Sequence, residues 1–148
     1  MLIQNITTEA RIYYLLGNPF LNQLILHDFE FTRDDELIDY YVNFLKSLAI
    51  KLNRETVNFF FNDKLKTFPL YSQAIMFFNH KDQLVRTSVQ AITLAVFNIS
   101  NPEMQSLFTV LPFCYYFANV SCRLRDIWFE IDQAIEQISQ LEQTVNVN

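Results

Sequence analysis

Apolar positions recur along this chain at the three- and four-residue spacing of helices that lie against a core. From Thr8 to Leu16 the stripe is Ile12, Leu15 and Leu16, with Thr8 placed to cap a helix and Gly17 placed as its C′ residue. Asn18-Pro19 restarts the chain, asparagine as N-cap and proline at the first helical position, ahead of Phe20, Leu21, Leu24 and Ile25. Asp28 to Phe31 reads as a connector, and Thr32 with Asp35 forms an aspartate variant of a capping box. A long helix over Arg33 to Leu52 then presents Leu37, Tyr41, Phe44, Leu45 and Leu48. Asn53 is placed to end it and to cap a shorter helix through Phe60, and the polar run Asn62 to Thr67 is a loop.

The second half repeats this style. Phe68-Pro69-Leu70 opens a helix to Phe78, and Asn79-His80 breaks it. Lys81 to Phe97 is predicted as a strong helix with Leu84, Val85, Val89, Ile92 and Val96 on one side. Ser100-Asn101-Pro102 starts a short helix to Thr109. From Pro112 a long helix runs into the C-terminus along the stripe Leu124, Ile131, Ile135, Ile138 and Leu141. A helical domain is expected over 1–130, with 131–148 as the extension of the last helix and a frayed tail.

Composition sharpens this pattern into a class. Ordinary glycine usage would place roughly ten glycines in a chain of this length, and this one has only Gly17. Dinucleotide-binding loops, phosphate loops and nucleophile elbows each need several glycines, so they are excluded. Sheet proteins with many tight turns also lean on glycine, which leaves an all-α chain. Hydrophobic residues make up 51% and charged residues 18%, so the chain is not of the disordered type. Fifteen phenylalanines and seven tyrosines supply large rings to fill the space between helices. The net charge of -5 argues against a nucleic-acid binder.

A faint internal repeat suggests how the helices are arranged. At an offset of 47 residues, Leu37-Ile38 falls on Leu84-Val85, Val42 on Val89, Leu45 on Ile92, and Asp35 on Asp82. That period lies at the upper end of the HEAT and armadillo range. Asp82 with Val85-Arg86 is similar to the HEAT signature, in which paired charges link neighbouring repeats. The expected fold is therefore an all-α, armadillo/HEAT-like α-solenoid segment of about seven to eight helices.

Extended stretches resemble a known family. They are Tyr13-Tyr14-Leu15-Leu16-Gly17-Asn18, Leu37 to Asn53, Phe68-Pro69-Leu70-Tyr71, Phe77-Phe78-Asn79-His80-Lys81 and Val85-Arg86. Together they are similar to the FPL domain, named for its Phe-Pro-Leu tripeptide (here Phe68, Pro69 and Leu70). This is the family of C-type lectin domain family 16 member A and the endosomal maturation protein. The similarity covers Asn5 to Ile99 well and Leu111 to Asp132 more loosely. It implies a cytoplasmic regulator of endosome-to-lysosome traffic, autophagy and mitophagy, peripheral on endosomal or lysosomal membranes. Family members carry further helices before the position of Asn5 and a long region after the domain.

Candidate chemistry is sparse. Cys114, Cys122, His27 and His80 could nominally supply four zinc ligands, but the cysteines are separated by seven residues and the histidines are remote, so no metal or other cofactor is expected. On one helix the two sulfurs lie roughly 12 Å apart, beyond disulfide reach, which suits free thiols in a reducing compartment. His80 is expected to hydrogen-bond its turn. Asp34, Asp35, Glu36 and Asp39 crowd the first turns of one helix, where the dipole welcomes negative charge, and are not read as a catalytic pair. No enzyme is expected. Asp82 and Arg86 are read as repeat-linking charges. Lys46, Lys51, Arg54, Lys64 and Lys66 give the middle of the chain a basic bias, a candidate surface for protein partners or anionic lipid. Consecutive rings at Phe59-Phe60-Phe61 cannot all face one core, so at least one is expected at the surface or against a neighbour.

The leading expectation is a non-catalytic scaffold for protein partners in trafficking or autophagy, with no nucleic acid. The alternative is a peripheral lipid-binding module using the central basic surface. Homo-oligomerisation through the C-terminal helix is a further expectation, because its apolar stripe needs a cover.

Overall fold

The computed structural model describes residues 2–31, 35–99, 101–105, 109 and 113–145. They form two compact units, Met1–Phe113 and Cys114–Asn148. The elements of the first unit are a 3-10 helix at Leu2–Asn5, α1 (Glu9–Leu16), α2 (Pro19–Ile25), α3 (Asp35–Ala49), a second 3-10 helix at Thr56–Phe59, α4 (Pro69–Ile75), α5 (Gln83–Phe97) and α6 (Pro102–Gln105). The long helix α7 (Phe113–Val145) makes up the second. The protein is all-α. The one β feature among the described residues is an isolated bridge between Asn62 and Thr67 that closes a short loop, where Lys66 takes the left-handed φ of 50°. Thr32, Ser100 and Pro112 lie outside the described residues, so the readings that rest on them stop there.

Starts and stops follow local chemistry. Asn18 Oδ1 accepts the Phe20 N–H at 3.0 Å with Pro19 at the first position of α2, and Asp82 Oδ1 accepts the Leu84 N–H at 2.7 Å to open α5. Asn53 Oδ1 accepts the N–H groups of Glu55 and Thr56 at 2.9 and 2.8 Å. The helix it caps is 3-10 and shorter than expected, Thr56–Phe59. Gly17 corrects a second expectation. Its φ of -73° and ψ of -1° are right-handed, so it does not serve as a left-handed C′ residue. Extended Asn18 turns the chain instead.

Helices α3, α4 and α5 together supply more than half of the buried hydrophobic residues among those described. On α3 the buried residues are Ile38, Tyr41, Val42, Leu45, Leu48 and Ala49, while Leu37 and Phe44 are half-buried, so the core face sits one residue round from the predicted stripe. On α5, Val85, Val89, Ile92 and Val96 are buried, whereas Leu84 is 71% exposed, one residue round from Val85. The 47-residue offset superposes buried on buried: Ile38 on Val85, Val42 on Val89, Leu45 on Ile92, Ala49 on Val96. These helices share the largest interhelical contact of the unit, α4 packs on both, and α2 packs on α4.

Rings fill the spaces between these helices. Phe61, Phe68, Tyr71 and Phe113 follow one another at centroid separations of 6.2, 6.3 and 5.2 Å, the last pair stacked within 7° of parallel. A second cluster joins His27, Phe29, Phe31, Tyr41 and Phe77 at 4.6 to 6.1 Å. Tyr41 also donates its hydroxyl to the Ile25 carbonyl at 2.6 Å, fixing the end of α2 to α3. Burial pushes its phenol up to about 12.

Candidate functional site

Phe59 organises the surface best suited to bind something. The Asn53 cap sets the preceding turn so that Val57 is buried and Phe59 stays half exposed. Its neighbours Phe60 and Phe61 are buried, so one ring of the three lies at the surface, as expected. The Phe59 carbonyl accepts from Asn22 Nδ2 at 2.9 Å, which ties α2 to the second 3-10 helix. Its ring meets Tyr13 edge to face, centroids 4.9 Å apart and planes at 75°. Gly17 makes room for this contact. A Cβ there would sit 3.4 Å from the Phe59 ring and 3.2 Å from the Tyr13 carbonyl oxygen.

Three open depressions surround Phe59. One of about 500 Å³ runs between Tyr13, Tyr14, Asn18, Pro19 and Phe20. A second, about 540 Å³, lies between Asn22, Leu26, Asn58, Asp63 and Lys64. The third joins Tyr13, Arg54, Glu55 and Asn58. Tyr14 is 84% exposed and Phe20 70%, both large rings on short helices, of which α2 is capped by Asn18 while the Thr8 side chain, expected to cap α1, makes no such bond. Of the rings on this face, sequence reasoning marked only the Phe59-Phe60-Phe61 run, although two adjacent tyrosines at Tyr13-Tyr14 could not both have met a core. The surface offers rings, amides and charged groups of both signs. Among the described residues, no three His, Cys, Asp or Glu side chains group to hold a metal ion.

The family tripeptide lies inside. Phe68 and Leu70 have no exposed surface, and Pro69 starts α4 at its first position. The motif thus fixes the start of α4 in the core.

The basic residues are spread over several local tasks. Lys46 stands in the last turn of α3, where the helix dipole favours a cation. Lys51 Nζ donates to the Ile6 carbonyl at 2.9 Å. Lys66 pairs with Asp63 across its loop. Arg54 and Lys64 are exposed and line depressions that share Asn58 and Phe59. Arg86 donates to the carbonyls of His80 and Lys81 at 2.5 and 2.8 Å and also bonds Gln83, while Asp82 caps α5; both serve the turn from which they start. His80 Nδ1 accepts the Asp82 N–H at 3.2 Å in the same turn. Among the early carboxylates, Glu36 accepts from the Tyr40 hydroxyl and Asp39 from Asn43, each within α3. Cys114 and Cys122 are free thiols. Among the described residues, no helix is long and apolar enough to cross a membrane.

Fold and surface define an all-helical protein with an exposed aromatic face. Residues 1–97 match the FPL family model, described as "Uncharacterised conserved protein". The chain is 40% identical over 141 residues to Protein CLEC16A of Homo sapiens and of Mus musculus, matching 92% of this chain but only 12% and 13% of those proteins. Protein CLEC16A homolog of Drosophila melanogaster is 40% identical over 129 residues, 87% of this chain and 11% of that protein. Protein TRANSPARENT TESTA 9 of Arabidopsis thaliana is 35% identical over 123 residues, 81% of this chain and 15% of that protein. This chain belongs to the FPL family, shared with CLEC16A, and spans about an eighth of the length of these relatives. No solved structure matches it.

Proposed function

We propose that this chain is a non-catalytic docking module, an armadillo/HEAT-like segment that holds protein partners in endosomal and lysosomal traffic or autophagy through the aromatic face around Phe59. The observation that carries the reading is the exposure of Tyr14 and Phe20 beside the Tyr13–Phe59 ring pair. Rigid rings lose little entropy on binding, and they are enriched at protein interfaces. The repeat reading has support of its own. Lys81 pairs with Asp35, so α3 and α5 start at the same end while packed side by side, and equivalent helices of stacked repeats run in that relation. The trafficking context rests on kinship with CLEC16A, and the non-catalytic reading on depressions lined mainly by rings and amides.

Proximity labelling in cells with the parent chain and a Tyr14→Ser/Phe20→Ser variant tests it. The parent should enrich endosomal and lysosomal proteins, and the variant, with unchanged helicity, should lose them. Equal enrichment by both would sink the aromatic face as the docking surface. Co-sedimentation with anionic liposomes, abolished by reversing Lys46, Lys51, Lys64 and Lys66, would favour the lipid reading instead.

A further inference from the structure

The second unit carries an uncovered seam. Along α7 the residues Leu124, Ile127, Ile131, Ala134, Ile138 and Leu141 follow one another at alternating steps of three and four. That is a heptad, with Leu124, Ile131 and Ile138 at a and Ile127, Ala134 and Leu141 at d. The five large residues of this seam are each at least half exposed, as are Trp128 (72%) and Ile135 (57%) at the adjoining e positions. Over about 26 Å of helix this is an apolar face of the kind that helices bury against another helix.

Charge helps to choose the partner. Residues 121–145 carry Arg123 and Arg125 against Asp126, Glu130, Asp132, Glu136 and Glu142, so this helix is acidic and ill suited to an anionic membrane surface. The flanks of the seam discriminate between orientations. In a parallel pair of identical helices Glu130 at g would face Ile135 at e of the other copy, and Ala134 would face itself across an underfilled layer. In an antiparallel pair, g faces g and e faces e. With the twofold axis between Asp132 and Gln133, Ile131 fills the space over the other copy's Ala134. Ile127 then meets Ile138, and Leu124 meets Leu141. Trp128 packs on Ile135, and Glu130 faces the neutral amide of Gln137, so like charges stay apart.

We infer that α7 pairs antiparallel with α7 of a second copy of this chain, centred between Asp132 and Gln133. The pairing depends on the seam alone and is independent of the docking face around Phe59.

The test uses the full chain. Light scattering should give twice the 17.6 kDa chain mass as concentration rises from about 1 to about 100 μM. Trp128, the single tryptophan, should shift its emission to the blue over the same range. Ile131→Asp should halve the mass and abolish the shift while the first unit keeps its melting transition. Orientation is read by oxidation on a Cys114→Ser/Cys122→Ser background. Leu124→Cys mixed with Leu141→Cys should cross-link, and neither should cross-link alone. A parent chain that stays monomeric with solvent-exposed Trp128 emission overturns the pairing. Cross-linking of each single variant with itself overturns the antiparallel arrangement.

Discussion

Lys81 Nζ lies 2.6 Å from Asp35 Oδ2, joining the first residue of α3 to the turn that precedes α5. The pair links the starts of these two packed helices from outside the core. The hydrogen bond from Lys81 holds the Asp35 carboxyl below its ordinary value of 3.8, opposed by desolvation and helped by the nearby charges of Lys81 and His80. A lowered folded value gives stability that is present above the ordinary value and lost as pH falls through the folded one. Both side chains are largely exposed, so the effect is small. Asp35→Asn should lower the melting temperature at neutral pH by no more than about 2 °C. The difference should vanish both at strongly acid pH and near about 1 M salt, where screening is short-ranged. A difference that survives both conditions would assign the effect to something other than this ion pair.

Tyr41 makes the opposite prediction at the alkaline end. Its hydroxyl donates to the Ile25 carbonyl at 2.6 Å, and burial raises its phenol from 10.0 to about 12. A raised folded value gives stability that is complete below the ordinary value and lost as pH climbs toward the folded one. Tyr41→Phe should cost about 1–3 kcal/mol at neutral pH, because the buried carbonyl loses its donor. Between about pH 10 and about pH 12 the gap between parent and variant should narrow, since only the parent gains a proton-release term on unfolding. Denaturant unfolding at several pH values measures it. A gap that is constant across that range would mean the phenol is not titrated by unfolding.

The tripeptide that names the family should act on stability. Phe68 is fully buried and joins Phe61 to Tyr71, so Phe68→Ala should cost about 3–5 kcal/mol and broaden the melt. Phe20→Ser removes an equally large ring from a site that is 70% exposed, and should stay within about 0.5 kcal/mol of the parent. Chemical denaturation of the two variants separates a core ring from a surface ring. Equal losses would contradict the burial of one and the exposure of the other.

These contrasts mark where sequence reasoning succeeds and where it stops. Capping residues announce themselves, because Asn18, Asn53 and Asp82 act within three residues of their own position. The α3 and α5 faces were legible to within one residue, about 100° of helix, which is the angle that separates buried Val85 from exposed Leu84. The rest of the aromatic face was not legible, since Phe20 and Ile25 look alike in a hydropathy pattern and only the packing of α2 on α4 decides which is buried. Local pairing of charges was also not legible: composition places Lys51 and Lys66 in one basic region, and the structure adds that each reaches its own acceptor, a carbonyl and an aspartate in its loop. A repeat offset escapes this limit, because it compares positions that must share a burial state, and Ile38, Val42 and Leu45 do share theirs with Val85, Val89 and Ile92.

Gly17 separates two explanations of a helix-ending glycine. A left-handed residue resists replacement, since a side chain there costs about 1–2 kcal/mol. Gly17 instead has φ -73°, where alanine is at ease and the unfolded chain loses freedom in its favour. The added methyl would stand 3.2 Å from the Tyr13 carbonyl oxygen and 3.4 Å from the Phe59 ring, close but open to small adjustment. Gly17→Ala should therefore fall within about 0.5 kcal/mol of the parent. Gly17→Leu should displace the Phe59 ring while leaving the core beneath intact. Tyr13 and Phe59 proton shifts, which depend on their edge-to-face contact, should move in the leucine variant and hold nearly still in the alanine one. Unmoved shifts in the leucine variant would show that the ring contact does not depend on the bare backbone at Gly17.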